Sequence, residues 1–367
     1  IAFAGFGYWV FFDVNTAFNV FTAVLIVACP CALALTAPFT FGNILRILGK
    51  KKIYLKNALV IEQLAKVDTL VFDKTGTITT TEKATIDYQG ISLTPNQESL
   101  IKNSLRASNH PLSRMLYNEL PEVHFIKMDS FEEFVGKGIE AHFEGNKIIL
   151  GSPNFVGINQ NQNVAETSIH IAINDKYIGK FVFKNAYREG LSELFTALSQ
   201  KYQLHILSGD NDGEQPFLET FLPSKTRLVF NQKPEQKLDF IKNLQESGHN
   251  VMMIGDGLND AGALAQSNVG ISISENVNVF SPACDAILDA SEFQNIGQFL
   301  KLSKKAIWII KMSFTLSLLY NVVGLGFALT GNLLPLVAAI IMPLSTITIV
   351  SFVTIMSSIY AKKLKFK

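Results

Sequence analysis

Residues in four short stretches carry the types and order needed to move a phosphoryl group. Asp73 ends an apolar run and opens DKTGT (73–77); Ser208 and Gly209 lie in SGD (208–210); Lys237 closes KPEQK (233–237); Asp256, Asn259 and Asp260 belong to GDGLND (255–260). A carboxylate can attack phosphorus and form an acyl phosphate. Such transfer needs in-line placement and positive charge on the moving oxygens, which Lys237 is suited to supply. Asp256 can pair with Asp73 around a hard cation, and carboxylate oxygens suit Mg²⁺. The Ser208 hydroxyl and the Gly209 N–H can hold phosphate oxygens, while Asn259 and Asp260 position the cation or its waters. A lone Asp at a strand end is more often a cap or turn residue than a nucleophile. The grouping changes that balance. No G-x-x-x-x-G-K-[ST] is present, so the usual P-loop route to nucleotide is absent.

A second constellation is VACPCALAL (27–35). Proline inside a membrane helix frees backbone carbonyls, which is tolerated mainly beside a cavity or ion site. Cys29 and Cys31 flank Pro30 with two soft thiol ligands, suited to Cu(I) or to Zn(II) and its neighbours. Two membrane cysteines usually do no more than pack a helix. A C-P-C in mid-span favours metal.

These residues need elements to hold them. DTLVFDKTGT, QLHILSGDND and HNVMMIGDGLND each read as a buried strand running into a polar loop, with helical sequence such as PEQKLDFIKNLQESG between them. Strands alternating with helices imply a parallel α/β sheet, whose functional residues lie at the carboxyl ends of strands. Residues 81–183 differ in character and read as an inserted domain with its own sheet (GIEAHFEGNKIILG, SIHIAINDKYIGKFVF).

The remainder is apolar. The chain of 367 residues is 48% hydrophobic and 17% charged, with a formal net charge of +1, which gives no reason to expect nucleic acid as a partner. No Asp, Glu, Lys or Arg occurs between Asp13 and Arg46 or between Lys311 and Lys362. Each interval can cross a bilayer, which takes ~20 apolar residues, and TGNLLP (330–335) divides the second into two spans. Lysine and arginine cluster at 46–56, 301–311 and 362–367, so the positive-inside rule places residues from about 49 to 310 in the cytoplasm. Three cysteines make no disulfide framework, and Cys284 reads as a buried thiol. The expected organisation is a partial transmembrane helix over 1–12 and a transmembrane helix with the C-P-C site over 16–48. The first part of the α/β domain follows over 49–80, the insert over 81–183 and the second part over 184–300. Transmembrane helices over 306–329 and 334–360 complete it. The start at Ile1, inside apolar sequence, reads as that of a fragment.

Taken together, DKTGT, SGD, KPEQK and GDGLND resemble the P-type ATPases, with their haloacid dehalogenase-like phosphorylation domain and inserted α+β nucleotide-binding domain. The resemblance implies that ATP phosphorylates Asp73, with Lys74, Thr75, Gly76, Thr77 and Asp210 joining the catalytic set and Thr75 joining Asp73 and Asp256 at Mg²⁺. Soluble relatives place an acid/base aspartate where Thr75 stands, so the acyl phosphate should persist. SNHPLS (108–113) resembles the S-x-H-P signature of the heavy-metal branch, which gives ATP contacts to His110 and Pro111, with Gly136 and Gly138 allowing close backbone approach. Leu105, Ser208 and Asn185 depart from the residues most common there.

In that branch C-P-C is the transport-site signature. SLLYN (317–321) and MPLST (342–346) are similar to the N-x-x-Y-N and M-x-x-S-S patterns of Cu(I) pumps, which brings Tyr320, Asn321, Met342 and Ser345 to the transported ion. The Lys and Asp expected in the spans of zinc and cadmium pumps are absent. The resemblance implies Cu(I) export from a bacterial plasma membrane, with ATP and Mg²⁺ as cofactors and a copper chaperone as donor or acceptor. It also implies a separate actuator domain upstream of Ile1. The alternatives are a Zn/Cd-type P-type ATPase, a membrane-anchored phosphatase of the same fold, or a non-catalytic metal-binding membrane protein.

Overall fold

Apolar segments that meet no water must satisfy their own backbone polar groups, and the uncharged segments of this chain accordingly coil into helices. The computed structural model describes residues 1–29, 31–134, 136–158, 167–257, 260–275 and 284–364. Helix α1 (Ala2–Trp9) is followed by Asp13, whose carboxylate accepts from the Asn15 and Thr16 N–H groups and caps α2 (Val14–Val27). The single helix expected over 16–48 is two, α2 and α3 (Cys31–Lys50). The break falls at the C-P-C tripeptide, whose Pro30 lies outside the described residues.

After β1 (Ile53–Leu55) and α4 (Leu59–Lys66), the chain enters the core with β2 (Thr69–Asp73), five residues all buried. A tight turn over Lys74–Ile78 leads into β3 (Thr79–Gly90), the first strand toward the insert. The insert contributes α5 (Pro95–Leu105), α6 (Pro111–Glu119), β4 (Ser130–Phe134), β5 (Gly138–Phe143), β6 (Asn146–Gly151) and β7 (Ser168–Ile173). Strand β8 (Lys176–Tyr187) returns to the core beside β3. All six strands pair antiparallel in the order β3-β8-β7-β6-β5-β4. Asn174 and Asp175, both at positive φ, make the tight β7–β8 turn, as two-residue hairpins prefer.

The core resumes with α7 (Leu191–Ser199), β9 (Gln203–Leu207), α8 (Gln215–Phe221), β10 (Arg227–Val229), α9 (Pro234–Glu246), β11 (Val251–Gly255), α10 (Ala261–Gln266), β12 (Val269–Ser274) and β13 (Ala286–Asp289). Its sheet runs β1-β13-β12-β11-β2-β9-β10, parallel except at β1. Successive residues serve opposite faces: Phe72, Met252 and Ile254 pack with α4 and α7, while Val71, Val251 and Met253 pack with α9 and α10. Burial on both faces explains the unbroken apolar runs in the sequence.

Two helices close the chain, α11 (Ile296–Leu329) and α12 (Pro335–Lys363), both long and apolar enough to cross a membrane. The first turns of α11 belong to the core of the large sheet, and its later residues pack against α12 and α3. Gly324 meets α2 so closely that a Cβ there would lie 2.8 Å from Val27 Cγ1.

Candidate active site

The three adjacent strands β11, β2 and β9 stop in register, with Asp73 opposite Leu207 and Phe72 opposite both Ile254 and Ile206. The residues that follow therefore gather at one sheet edge, and Asp73 is 4% exposed there. Lys237, in the first turns of α9, reaches back over that edge. Its Nζ lies 2.5 Å from Asp73 Oδ1 and 2.7 Å from Asp260 Oδ1, so one ammonium bridges two carboxylates. Burial raises Asp73 to about 7, helped by the Asp260 charge and opposed by Lys237. Burial raises Asp260 as well, against the pull of Lys237. Burial works against the Lys237 charge, but Asp73 and Asp260 outweigh it and hold Lys237 above its ordinary value.

Asp256 stands across the pocket from the 74–77 turn, where a Cβ on Gly76 would be 3.5 Å from Asp256 Cβ. Asp73 and Asp256 are two hard-oxygen donors, and Asp260 Oδ2 is buried without a partner among the described residues. Mg²⁺ is commonly held by one or two carboxylates with the rest of its shell from water and phosphate, and this donor set fits it. Thr77 Oγ1, in the turn, is likewise buried with no partner among the described residues. Thr75, expected beside the cation, directs its hydroxyl to Asp210 Oδ2 at 3.3 Å. Ser208 is 1% exposed and its Oγ accepts from the Asp210 N–H, which shapes the second loop. Asn259 lies outside the described residues. Asp260, expected to position the cation or its waters, also accepts from Lys237 through its Oδ1.

Lys74, which the resemblance places in the catalytic set, and three residues that the sequence did not single out, Tyr187, Arg188 and Glu214, complete the edge. Lys74 is 2% exposed, its Nζ 2.7 Å from both Asp210 and Glu214. Tyr187 donates to Glu214 Oε2 at 3.0 Å. Arg188 donates from Nε to the Thr77 carbonyl at 2.6 Å and from Nη2 to the Gly76 carbonyl at 3.2 Å, and pairs with Glu275 at 2.7 Å. The only signal for Tyr187 and Arg188 was KNAYR, at the point where the insert ends. Glu214 had none.

The insert holds a cavity of about 350 Å³ between the start of α6, the β4–β5 hairpin and β7, lined by His110, Glu133, Gly136, Lys137 and Gly138 among others. His110 is the N-cap of α6, and Pro111 takes the first helical position. The two glycines differ. A Cβ on Gly136 would meet open space, whereas one on Gly138 would lie 2.3 Å from the Leu150 carbonyl oxygen. Gly136 thus leaves room on the cavity side, and Gly138 is required by the neighbouring strand.

In the membrane helices, Cys29 follows α2 and Cys31 begins α3. Tyr320 and Asn321 lie on α11 one turn before Gly324, hence near the end of α2. Met342 and Ser345 lie on α12, where the Ser345 hydroxyl donates to the Met342 carbonyl at 2.7 Å. The helices that carry these residues touch one another.

The chain thus combines a doubly wound sheet, an aspartate at a strand end, a lysine over it and an inserted domain. The chain belongs to the haloacid dehalogenase-like hydrolases, whose family profile matches residues 67–268. It is 30% identical to the copper-exporting P-type ATPase of Staphylococcus saprophyticus, over 90% of this chain and 43% of that protein. It is 28% identical to a probable cadmium-transporting ATPase of Alkalihalophilus pseudofirmus, over 84% of this chain and 46% of that protein. The fold matches the crystal structure of a zinc-transporting PIB-type ATPase in its E2.Pi state, with TM-score 0.78 and 22% identity, over 94% of this chain and 58% of that one. The chain spans about half the length of the relatives it matches. Its similarity to P-type metal ATPases runs through the membrane helices as well as the catalytic core.

Proposed function

We propose that the protein couples phosphorylation of Asp73 by ATP to the passage of a soft metal ion, Cu(I), across a membrane. The observation that supports this most is the Asp73–Lys237–Asp260 cluster at the edge shared with Asp256, in one chain with two apolar spans and a C-P-C break. An Asp73 oxygen forms the bond to the γ-phosphorus, the bond from that phosphorus to the β–γ bridging oxygen breaks, and ADP leaves. Lys237 stabilises charge on the transferring oxygens. Thr77, Ser208 and the Gly209 N–H hold the phosphoryl oxygens, and Asp210 fixes the second loop against Lys74 and Thr75. Mg²⁺ would be held by Asp73 and Asp256, with Asn259 and the second oxygen of Asp260 toward its waters, and supplies charge neutralisation. His110, Pro111, Gly136 and Gly138 belong to the nucleotide cavity. Cys29, Cys31, Tyr320, Asn321, Met342 and Ser345 take the ion, with thiol and thioether favouring Cu(I). In this reading residues 49–310 face the cytoplasm of a bacterium, and a copper chaperone delivers or receives the ion.

The cadmium-transporting relative keeps a second reading open, a pump for Zn(II) or Cd(II). Labelling the full-length protein in membranes with γ-labelled ATP, under Cu(I), Zn(II), Cd(II) or chelator, separates the two. Acid-stable, hydroxylamine-labile label that appears with Cu(I) and vanishes in Asp73→Asn is the expected result. Label dependent on Zn(II) or Cd(II) would replace the metal and keep the mechanism. Absence of label under every metal would remove Asp73 as the nucleophile.

A further inference from the structure

The strand that returns from the insert ends on the phosphorylation turn. Tyr187 is the last residue of β8 and pairs with Thr79, the first residue of β3, so the two form the base of the two-stranded connection between domains. From that base, a chain of side chains leads inward: Tyr187 OH to Glu214 Oε2 at 3.0 Å, and Glu214 Oε2 to Lys74 Nζ at 2.7 Å. Lys74 is covalently next to Asp73. The tyrosine ring is held in place by Phe217 and Phe221, with centroids 5.4 and 6.1 Å away. Arg188, one residue further on, grips the other side of the same turn through the Gly76 and Thr77 carbonyls.

We propose that Tyr187 and Glu214 are positioning residues that tie the attitude of the nucleotide domain to the phosphorylation turn. The inference rests on the proposed ATP-dependent phosphorylation of Asp73. Lys74 is buried and its ammonium is held by Asp210 and Glu214, so it serves as an anchor, while Lys237, bonded to Asp73 itself, is the cation of transfer. Glu214 is the half of that anchor that a movement of the insert can reach, because Asp210 belongs to the core loop alone. When the insert swings to deliver nucleotide, Tyr187 moves Glu214 and thereby sets Lys74 and the turn.

The test compares two phosphoryl donors in the full-length protein. Asp73 can be labelled from ATP, which the insert must deliver, or from inorganic phosphate with loss of water, the reverse of acyl-phosphate hydrolysis, which needs no delivery. Tyr187→Phe keeps the ring stack and removes only the hydroxyl. It is expected to slow labelling from ATP by about 10-fold, the scale of a hydrogen bond to a charged group, and to leave labelling from phosphate unchanged. Glu214→Gln should slow both routes, and the double variant should be no slower with ATP than Glu214→Gln alone, since the two act in series. Equal effects of Tyr187→Phe on both donors, no effect on either, or additive losses in the double variant would each overturn the proposal. Failure of the unsubstituted protein to label from either donor would remove the underlying reading as well. Normal labelling of protein and variants would remove the inference alone.

Discussion

The edge that holds Asp73 and the cavity of the insert are built from opposite materials. At the edge, two buried carboxylates share one lysine and a second buried lysine is clamped by two more acids, so geometry is fixed by charge. In the insert, the cavity is shaped by glycines and strand spacing, and Gly138 sits where a side chain cannot. Charge placed in low dielectric is costly to leave unpaired, whereas space is costly to fill. The first site should fail when charge is removed, the second when volume is added.

The largest effect is expected for Lys237→Met. Two buried carboxylates would lose their shared partner, costing about 3–5 kcal/mol, and labelling of Asp73 should fall by about 10²–10³-fold. Thermal unfolding and single-turnover labelling read the two losses, and a near-normal rate would show that the edge does not depend on this charge. Next comes Gly138→Ala, whose methyl would strike the Leu150 carbonyl oxygen; about 2–3 kcal/mol of insert stability should be lost. Labelling from ATP should drop while labelling from inorganic phosphate stays, and Gly136→Ala, which faces open space at φ +72°, should cost only the ~1 kcal/mol of that backbone conformation. Equal costs for the two glycines would break the contrast.

A third expected effect concerns pH. His205 on β9 is 6% exposed, and both ring nitrogens lack partners among the described residues. Burial holds it down to about 4, with Arg227 and His249 adding to the effect. The unfolded chain takes up this proton below about 6.5 while the folded one does not until about 4, so stability is lost as pH falls across that window, by about 3 kcal/mol. His205→Phe should flatten the slope in pH-dependent denaturant melts; an unchanged slope would place the acid sensitivity elsewhere. The smallest effect belongs to His110→Ala, expected to weaken nucleotide binding about 5- to 10-fold at unchanged maximal label, measured by titrating ATP.

The sequence exposed the catalytic edge better than its supports. Buried strands such as TLVFD and VMMIG announce themselves because both faces are covered, and their loops fall where an α/β sheet puts function. Lys237 was legible as a cation, but its bridging of Asp73 and Asp260 was not, since 23 residues separate Lys237 from Asp260 in the chain. Glu214 escaped notice because a lone Glu in a polar loop has no periodicity to mark it, and its partner Lys74 is 140 residues away. The expected helix over 16–48 became two because an uncharged run reports hydropathy, not where the helix breaks.

Helix α11 runs unbroken for 34 residues, without the internal proline found in α3 and α12. At 1.5 Å per residue it is a rod of about 51 Å, clamped at one end in the core of the catalytic sheet and at the other among the apolar helices. A rod of that length works as a lever. A tilt of about 5° at the sheet carries its far end through about 4 Å, most of the roughly 5.4 Å pitch of a helix. Small angular changes at the sheet therefore arrive beside Tyr320 and Asn321 as displacements on the scale of a bound ion.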